Sequence, residues 1–452
     1  MIDRRLLLKS MLGTGAISIL GVGCDSSMGP TPGGEKADDF LDVRFIRSLD
    51  ICELSFTAEL VDDTEPHVKH SRGHNTRQFT RLSDMIEDGQ LDLRYLTSDA
   101  LVNPQSKYYI RTEAPDQLHL STSAEIANFE TLDQGGTLAL AALRDAWRVR
   151  VHGEVSEPIE ISIAQFESRV SSLGATMMEC AGNDEYSNFR LMSAAHWDGL
   201  RFADFLDLMG SSLAPTSLQG AATHVKISGF DDTEETDWNR FLAVESTPGA
   251  SWIFSIEELL KQGAFFATAM QGETLALDHG FPIRLVVPRY YGCTCIKWMN
   301  DIEFLAVDDS TETTDQMREF SDRTNQAGVP ELLKDHRPPA IDQALTPIKV
   351  EEWTLDGVSY YRTVGLMWGG EELRPKLSLG ITRDRLLGSD PRTEIDLHYQ
   401  ESSHSDAYTL WWSNFWRPQK NGKYILDPQI LDSGVRARRL RDGYYRRGVV
   451  IG

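Results

Sequence analysis

Over residues 341–452 apolar and polar positions alternate, as in Ile348-Lys349-Val350 and Arg362-Thr363-Val364-Gly365-Leu366. A period of two is that of a strand with one buried face. Turn dipeptides at Gly369-Gly370 and Asn421-Gly422 punctuate the pattern, and short strands joined by such turns predict an all-β sandwich. Over residues 90–310 the pattern is mixed: short apolar runs broken by Gly and Pro, with helical stretches at Leu138 to Asp145 and Ile256 to Gln262. That reads as an α+β domain. Between the two, a polar, Pro-containing stretch ending at Ala340 predicts a linker over residues 311–340 that crosses the surface.

The N-terminal pattern is different. Arg4-Arg5 precede an apolar run from Met11 to Val22, too short for a comfortable transmembrane helix. Paired arginines before such a run resemble a twin-arginine export signal, which carries already folded proteins. Gly21-Val22-Gly23-Cys24 resembles a lipoprotein cleavage site. A Ser/Gly/Pro-rich tether follows it. The expectation is a signal over 1–23, a tether over 24–36, and an exported, periplasmic protein anchored by lipid at Cys24. Residues 37–89 form an N-terminal extension, whose His67, His70 and His74 read as a polar loop because Gly73 would weaken a helix aligning them.

A chain of 452 residues can hold two domains with substantial cores. A net charge of −23 argues against nucleic acid as a partner, because phosphate binding needs a basic surface. Of the five cysteines, Cys293 and Cys295 are separated by one residue, an awkward spacing for a mutual disulfide. No disulfide framework is expected.

Two segments carry candidate chemistry. In Met177-Met178-Glu179-Cys180-Ala181-Gly182-Asn183 a lone cysteine is followed by small residues that let the backbone approach something bulky. Its thiolate would be a soft metal ligand, whereas the plainer reading is a buried structural cysteine. About a hundred residues on, Leu277-Asp278-His279-Gly280-Phe281-Pro282-Ile283-Arg284 enters a short apolar strand that leaves through Tyr291-Gly292-Cys293-Thr294-Cys295-Ile296-Lys297-Trp298. His279 and Arg284 on the entry side and Lys297 on the exit side suit a phosphate or a polar heterocycle.

In this order the two segments resemble the molybdopterin-binding domain of the sulfite oxidase family. The likeness extends to Lys107-Tyr108-Tyr109-Ile110-Arg111, to Trp147 through Gly153, to His196-Trp197-Asp198-Gly199-Leu200, to Ala222 through Gly229 and to Ala267 through Glu273. It implies a molybdopterin-binding catalytic domain at 90–310, followed by an immunoglobulin-like domain at 341–452 that forms a homodimer contact. Trp411, Trp412 and Trp416 fit a Trp-rich strand of that second domain.

By motif position the resemblance makes Cys180 the protein ligand of molybdenum. It sets Arg111 beside the metal and Tyr109 and Trp197 at the pocket wall. His279, Arg284, Lys297, Gly292 and Asp231 form the cofactor-binding set. The implied reaction is oxygen-atom transfer on a small substrate, with electrons passing to or from a separate protein or a quinone. Departures from the family bear on substrate. Asp184 and Glu185 stand where family sulfite oxidases carry arginines, and Thr112-Glu113 stand where Asn-His follows the early Arg. Carboxylates repel a doubly charged anion, so a neutral or cationic oxide such as a sulfoxide is the alternative to sulfite. Arg190 or the Arg436 to Arg441 cluster could compensate. The alternative from another class is a tethered binding lipoprotein that keeps the fold without the cofactor.

Overall fold

A computed structural model describes residues 42–49, 51–52, 102, 105, 108–110, 137–181, 192–230, 250–306, 313–314, 316–317, 320, 339–370, 375–385, 388–399, 408–435 and 446–452. They fall into two compact units, one of residues 42–52 and 342–452, the other of the described residues up to Ile341.

The second unit alternates strands and short helices: α1 (Thr137–Ala146), β3 (Arg148–Gly153), β4 (Ile159–Ser162), α2 (Ile163–Glu167), β5 (Ser171–Glu179), β6 (Met192–Arg201), α3 (Phe202–Leu208), β7 (His224–Gly229), β8 (Ser251–Ser255), α4 (Ile256–Gln262), β9 (Phe265–Met270), β10 (Glu273–Thr274), β11 (Arg284–Val286) and β12 (Met299–Leu305). It is mixed α+β, and mostly sheet. One sheet runs β10-β9-β6-β5, with β11 also on β9; the other runs β4-β3-β12-β7-β8. In the second, β12 lies parallel to β3, so the first and last strands of the unit are neighbours.

Local sequence explains where the helices start. Ser162 caps α2 in a capping box with Gln165, and Ser255 caps α4 in a capping box with Glu258, satisfying backbone N–H groups that have no intrahelical partner. Gly263, in the left-handed region at φ 67°, ends α4. Between the layers Phe166, Phe202, Phe205 and Phe266 are fully buried, and Phe205 meets Phe266 edge to face at 5.2 Å. Burying each such ring is worth about 1.5–3 kcal/mol. The Trp147 indole donates to the Met299 carbonyl at 2.8 Å, tying the end of α1 to the start of β12.

Part of the stretch expected as a surface linker docks instead. Thr314 Oγ1 donates to the Ser251 carbonyl at 2.7 Å, Gln316 accepts from the Ser251 N–H at 2.6 Å, and Met317 is buried in the core.

The other unit is all-β: β1 (Val43–Leu49), β2 (Ile51–Cys52), β13 (Ala344–Leu355), β14 (Val358–Trp368), β15 (Leu377–Arg385), β16 (Gly388–Ser389), β17 (Thr393–Tyr399), β18 (Thr409–Ser413), β19 (Gly422–Ile430) and β20 (Arg447–Ile451). The ladder is one continuous path, β1-β13-β14-β18-β17-β15-β19-β20-β2. It curls so that β13 packs against β19, β20 and β2. The all-β prediction holds, but the strands form one curled sheet, and two strands from the N-terminal extension are its edges. Leu345, Val350, Leu379, Trp411, Leu426 and Val449 fill the concave side. The Trp411 indole lies on Gly365, where only a residue without Cβ fits, and donates to the Leu366 carbonyl at 3.0 Å.

A charge is buried in this unit. Glu351 is wholly inside, with Lys349 Nζ at 2.7 Å and Arg362 Nη2 at 2.5 Å, and the Trp353 indole donates to it at 2.9 Å. Burial alone would raise this carboxyl, but Arg362 and Lys349 outweigh it and hold Glu351 below the usual range. The Arg362 guanidinium lies over the Trp353 ring at 4.8 Å.

Candidate functional site

Strand β5 begins exposed and runs inward, so Met177, Met178, Glu179 and then Cys180 are buried. Three segments converge on this strand end. The first is the aromatic pair Tyr108-Tyr109, whose rings stack at 5.7 Å; the Tyr109 N–H donates to Ser193 Oγ on β6 at 3.0 Å. The second is the turn Gly292–Thr294. A Cβ on Gly292 would stand 2.5 Å from the Tyr109 hydroxyl, 3.3 Å from Met178 Cγ and 3.4 Å from the Glu179 carbonyl oxygen. The third is the turn Leu277–His279 leading into β11.

Arg284 is the hub. Its side chain is buried; Nη1 donates to the His279 carbonyl at 2.9 Å and Nη2 to the Cys295 carbonyl at 3.1 Å, with Met178 Sδ at 3.5 Å. Its guanidinium sits 5.5 Å from the centre of the Trp197 ring. Gly280, at φ 101°, caps the turn where a Cβ would meet the Cβ atoms of Lys297 at 3.0 Å and Arg284 at 3.1 Å. A residue without Cβ is what lets the two cationic residues share one turn. Lys297 Nζ donates to the Asp278 carbonyl at 2.9 Å and lies 4.4 Å from the Trp298 ring centre.

The electrostatics follow from burial. His279 is pulled down to about 4, first by burial and then by Arg284, with Lys297 adding to it, so the imidazole is neutral at ordinary pH. Burial, then the neighbouring Cys180, raises the Tyr109 hydroxyl well above its usual range, and burial raises Tyr108 and the Cys295 thiol. The two tyrosines are therefore neutral hydroxyls, and Cys180, Cys293 and Cys295 are not joined in disulfides.

Three buried polar atoms in this cluster have no hydrogen-bond partner: Tyr108 Oη, Trp197 Nε1 and Arg284 Nε. Tyr108 meets Trp197 and His279 edge to face at 5.7 and 5.6 Å. A buried donor left unpaired costs about 1–3 kcal/mol, so three around one arginine signal a polar ligand rather than a finished core. A soft thiol, neutral hydroxyls, a buried guanidinium and a lysine suit a heterocycle that bears phosphate and a soft metal.

Residues 137–313 match the oxidoreductase molybdopterin binding domain family. The chain carries a molybdopterin-binding domain of the sulfite oxidase family. Molybdopterin is the cofactor of this domain class, and the residues gathered here fit it. The domain is 25% identical over 188 residues to sulfite oxidase of Arabidopsis thaliana, covering 38% of this chain and 45% of that protein. It is 29% identical over 170 residues to sulfite oxidase of Gallus gallus, covering 35% of this chain and 34% of that one. A nitrate reductase of Mycosarcoma maydis is 23% identical over 237 residues, 48% of this chain and 21% of the reductase. The matches thus span less than half the length of each of these relatives. The chain also aligns with the crystal structure of sulfane dehydrogenase SoxCD from Paracoccus pantotrophus, with a TM-score of 0.47 and 14% identity over 76% of this chain and 75% of that one.

Of the site residues expected from sequence, Tyr109, Trp197, His279, Arg284 and Gly292 are linked by direct contacts around the end of the strand that leads to Cys180, and Lys297 joins them through Gly280. Arg111 and Asp231 lie outside the described residues, as do Asp184, Glu185 and Arg190. Sequence reasoning missed Gln105, Tyr108, Met178 and Ser193 as site residues. Each acts through a partner distant in sequence, and only the aromatic doublet Tyr108-Tyr109 gave a local signal. A second group, on the face of the β3-β12-β7 sheet, has metal-ligand spacing: His152, Asp301 and Glu303, with ligand atoms within 4.8 Å of one another. There His152 already faces Asp301 at 3.0 Å and Lys226 pairs with Glu303 at 2.7 Å, which makes it a cross-strand charge ladder.

Proposed function

We propose that this protein is a molybdenum-cofactor oxidoreductase that moves an oxygen atom to or from a small substrate and exchanges electrons with a separate redox protein or a quinone. The observation that carries this reading is Cys180 at the end of β5, beside a buried cluster with three unpaired polar atoms, inside a molybdopterin-binding domain.

When bound, the molybdenum centre supplies two-electron oxygen-atom chemistry. The chain supplies the rest. Cys180 is the protein thiolate for the metal. Arg284, His279 and Lys297 would hold the pterin and its phosphate, with Asp231 as a further candidate by motif position, and Gly292 lets the Tyr109 hydroxyl and the end of β5 close on its turn. Trp197 and Tyr109 would wall the pocket and keep water from it, and by motif position Arg111 would stand beside the metal.

Sulfite is not the favoured substrate. Asp184 and Glu185 place two carboxylates next to the cysteine segment, which favours a neutral or cationic oxide such as a sulfoxide. Replacing both with arginine should lower the Michaelis constant for sulfite by about tenfold at fixed ionic strength. Efficient sulfite turnover by the unmodified protein would show that other residues set the pocket's charge.

Residues 90–310 are proposed as the catalytic domain and residues 341–452 as an immunoglobulin-like domain that forms a homodimer contact. Export by the twin-arginine route with a lipid anchor at Cys24 completes the proposal. The decisive test is metal and pterin analysis of the purified protein, alongside Cys180→Ser. We expect one molybdenum per chain in the unmodified protein and none in the variant, with the circular dichroism of both alike and a lower unfolding temperature in the variant, because a bound cofactor stabilises the folded state. Protein purified with neither metal nor pterin would leave the tethered binding lipoprotein as the better reading.

A further inference from the structure

Gln105 is bonded three times to the segment that carries His279, twice by its side chain and once by its main chain. Its side-chain Nε2 donates to the Thr274 carbonyl at 3.1 Å, and its Oε1 accepts from the Ala276 N–H at 2.8 Å, much as a neighbouring strand would. Its main-chain carbonyl lies 2.9 Å from His279 Nε2. A carbonyl has no proton to give, so the hydrogen of this bond is on Nε2 whatever the ring's charge.

The charged groups facing the imidazole are Arg284 and Lys297, with Asp278 on its own turn. Arg284 holds the His279 carbonyl and Lys297 holds the Asp278 carbonyl, so both cations brace the same turn. Burial and the two cations keep the ring neutral. A neutral ring with its hydrogen on Nε2 has a bare lone pair on Nδ1. That atom can accept a hydrogen bond but cannot give one. Phosphate oxygens only accept at neutral pH, whereas a pterin ring offers N–H and amine donors.

We propose that Gln105 is a positioning residue that locks His279 as the Nε2–H tautomer, so that His279 meets the cofactor as an acceptor for a pterin N–H and leaves the phosphate to Arg284 and Lys297. This rests on the molybdopterin reading above, and it sorts the three residues by the part of the cofactor each one reads.

Two measurements test it. Nitrogen-15 NMR of the imidazoles, with the His279 signal assigned by its loss in His279→Gln, reads the tautomer directly. The unmodified protein should show a protonated Nε2 and a bare Nδ1. Gln105→Ala keeps the main-chain carbonyl but loses both side-chain bonds that hold it against the turn, so a fraction of the Nδ1–H form should appear, and hydrogen exchange at the Ala276 amide should rise about tenfold, as expected for one lost hydrogen bond. The second measurement is pterin content after purification. In His279→Asn the amide oxygen can stand near the Nδ1 position, so most of the pterin should be retained. The His279→Gln amide reaches toward Nε2 and should retain about tenfold less.

An Nδ1–H tautomer in the unmodified protein, or a tautomer unchanged in Gln105→Ala, would overturn the positioning role. Equal pterin retention by the Asn and Gln variants would overturn the acceptor role. If the unmodified protein contains no pterin, the cofactor reading falls, and the NMR result still decides whether Gln105 sets the tautomer.

Discussion

The Tyr109 hydroxyl lies 2.5 Å from the point where a Cβ on Gly292 would stand. This contact joins an aromatic segment before α1 to a turn far along the chain, and it is possible only because position 292 has no side chain. Changing Gly292→Ala should push the Tyr109 ring or shift the turn. Overpacking of this kind costs about 1–3 kcal/mol. The expected result is a lower unfolding temperature and reduced pterin content. Combining it with Tyr109→Phe, which removes the clashing oxygen, should recover part of both losses; no recovery would mean that the turn rather than the tyrosine yields.

His279 should make stability depend on acid. Its folded value is about 4, below the ordinary 6.5 of the unfolded chain. Between those values the unfolded chain binds a proton that the folded protein refuses, so stability falls as pH drops from 6.5 toward 4. The full loss is about 3 kcal/mol by the usual conversion of such a shift. Above 6.5 the ring is neutral in both states and contributes no slope. Denaturant unfolding at a series of pH values should show a shallower acid limb in His279→Gln than in the unmodified protein. Parallel curves would place the acid sensitivity elsewhere.

Glu351 offers a test in the other unit. Removing it by Glu351→Ala would leave Lys349 and Arg362 buried without their counter-charge, at a cost of about 3–5 kcal/mol. Replacing Glu351, Lys349 and Arg362 together with apolar residues of similar volume should cost much less, because the interior then holds no stranded charge. Thermal unfolding of the two variants gives the comparison. Equal destabilisation would mean that the three residues matter through packing against Trp353 rather than through charge.

Residues that are near neighbours both in sequence and in space were the legible ones. The segment from His279 to Lys297 holds a histidine, an arginine and a lysine on one short excursion, and the structure brings them to one turn. The helix expected at Ile256 to Gln262 has those bounds, because its capping box and terminal glycine are local signals. The alternation in Arg362 through Leu366 likewise fell within β14. What escaped was long-range. Gln105 owes its role to an imidazole 174 residues away, and nothing in its own neighbourhood marks it. Strand β1 pairs with β13 across some three hundred positions, so the extension that holds it gave no hint of belonging to the C-terminal sheet. Alternation identifies strands but is silent on whether their ladder splits in two or curls as one. The hairpin turn Asp356-Gly357, with φ 49° and 82°, carried a readable signal that went unused.

The parallel pairing of β12 with β3 has a consequence for assembly. The sheet that begins at Arg148 is completed by a strand beginning at Met299, so the last strand of this unit to be synthesised is seated beside β3. Every residue from β3 to β12 must be present before that seat is filled, and contacts so far apart in sequence form slowly. The turn carrying Lys297 sits just before the closing strand, whereas Arg284 is already placed by the pairing of β11 with β9. A nascent chain still short of Leu305 therefore has no finished cradle, and loading of the cofactor belongs after β12 has been synthesised and seated.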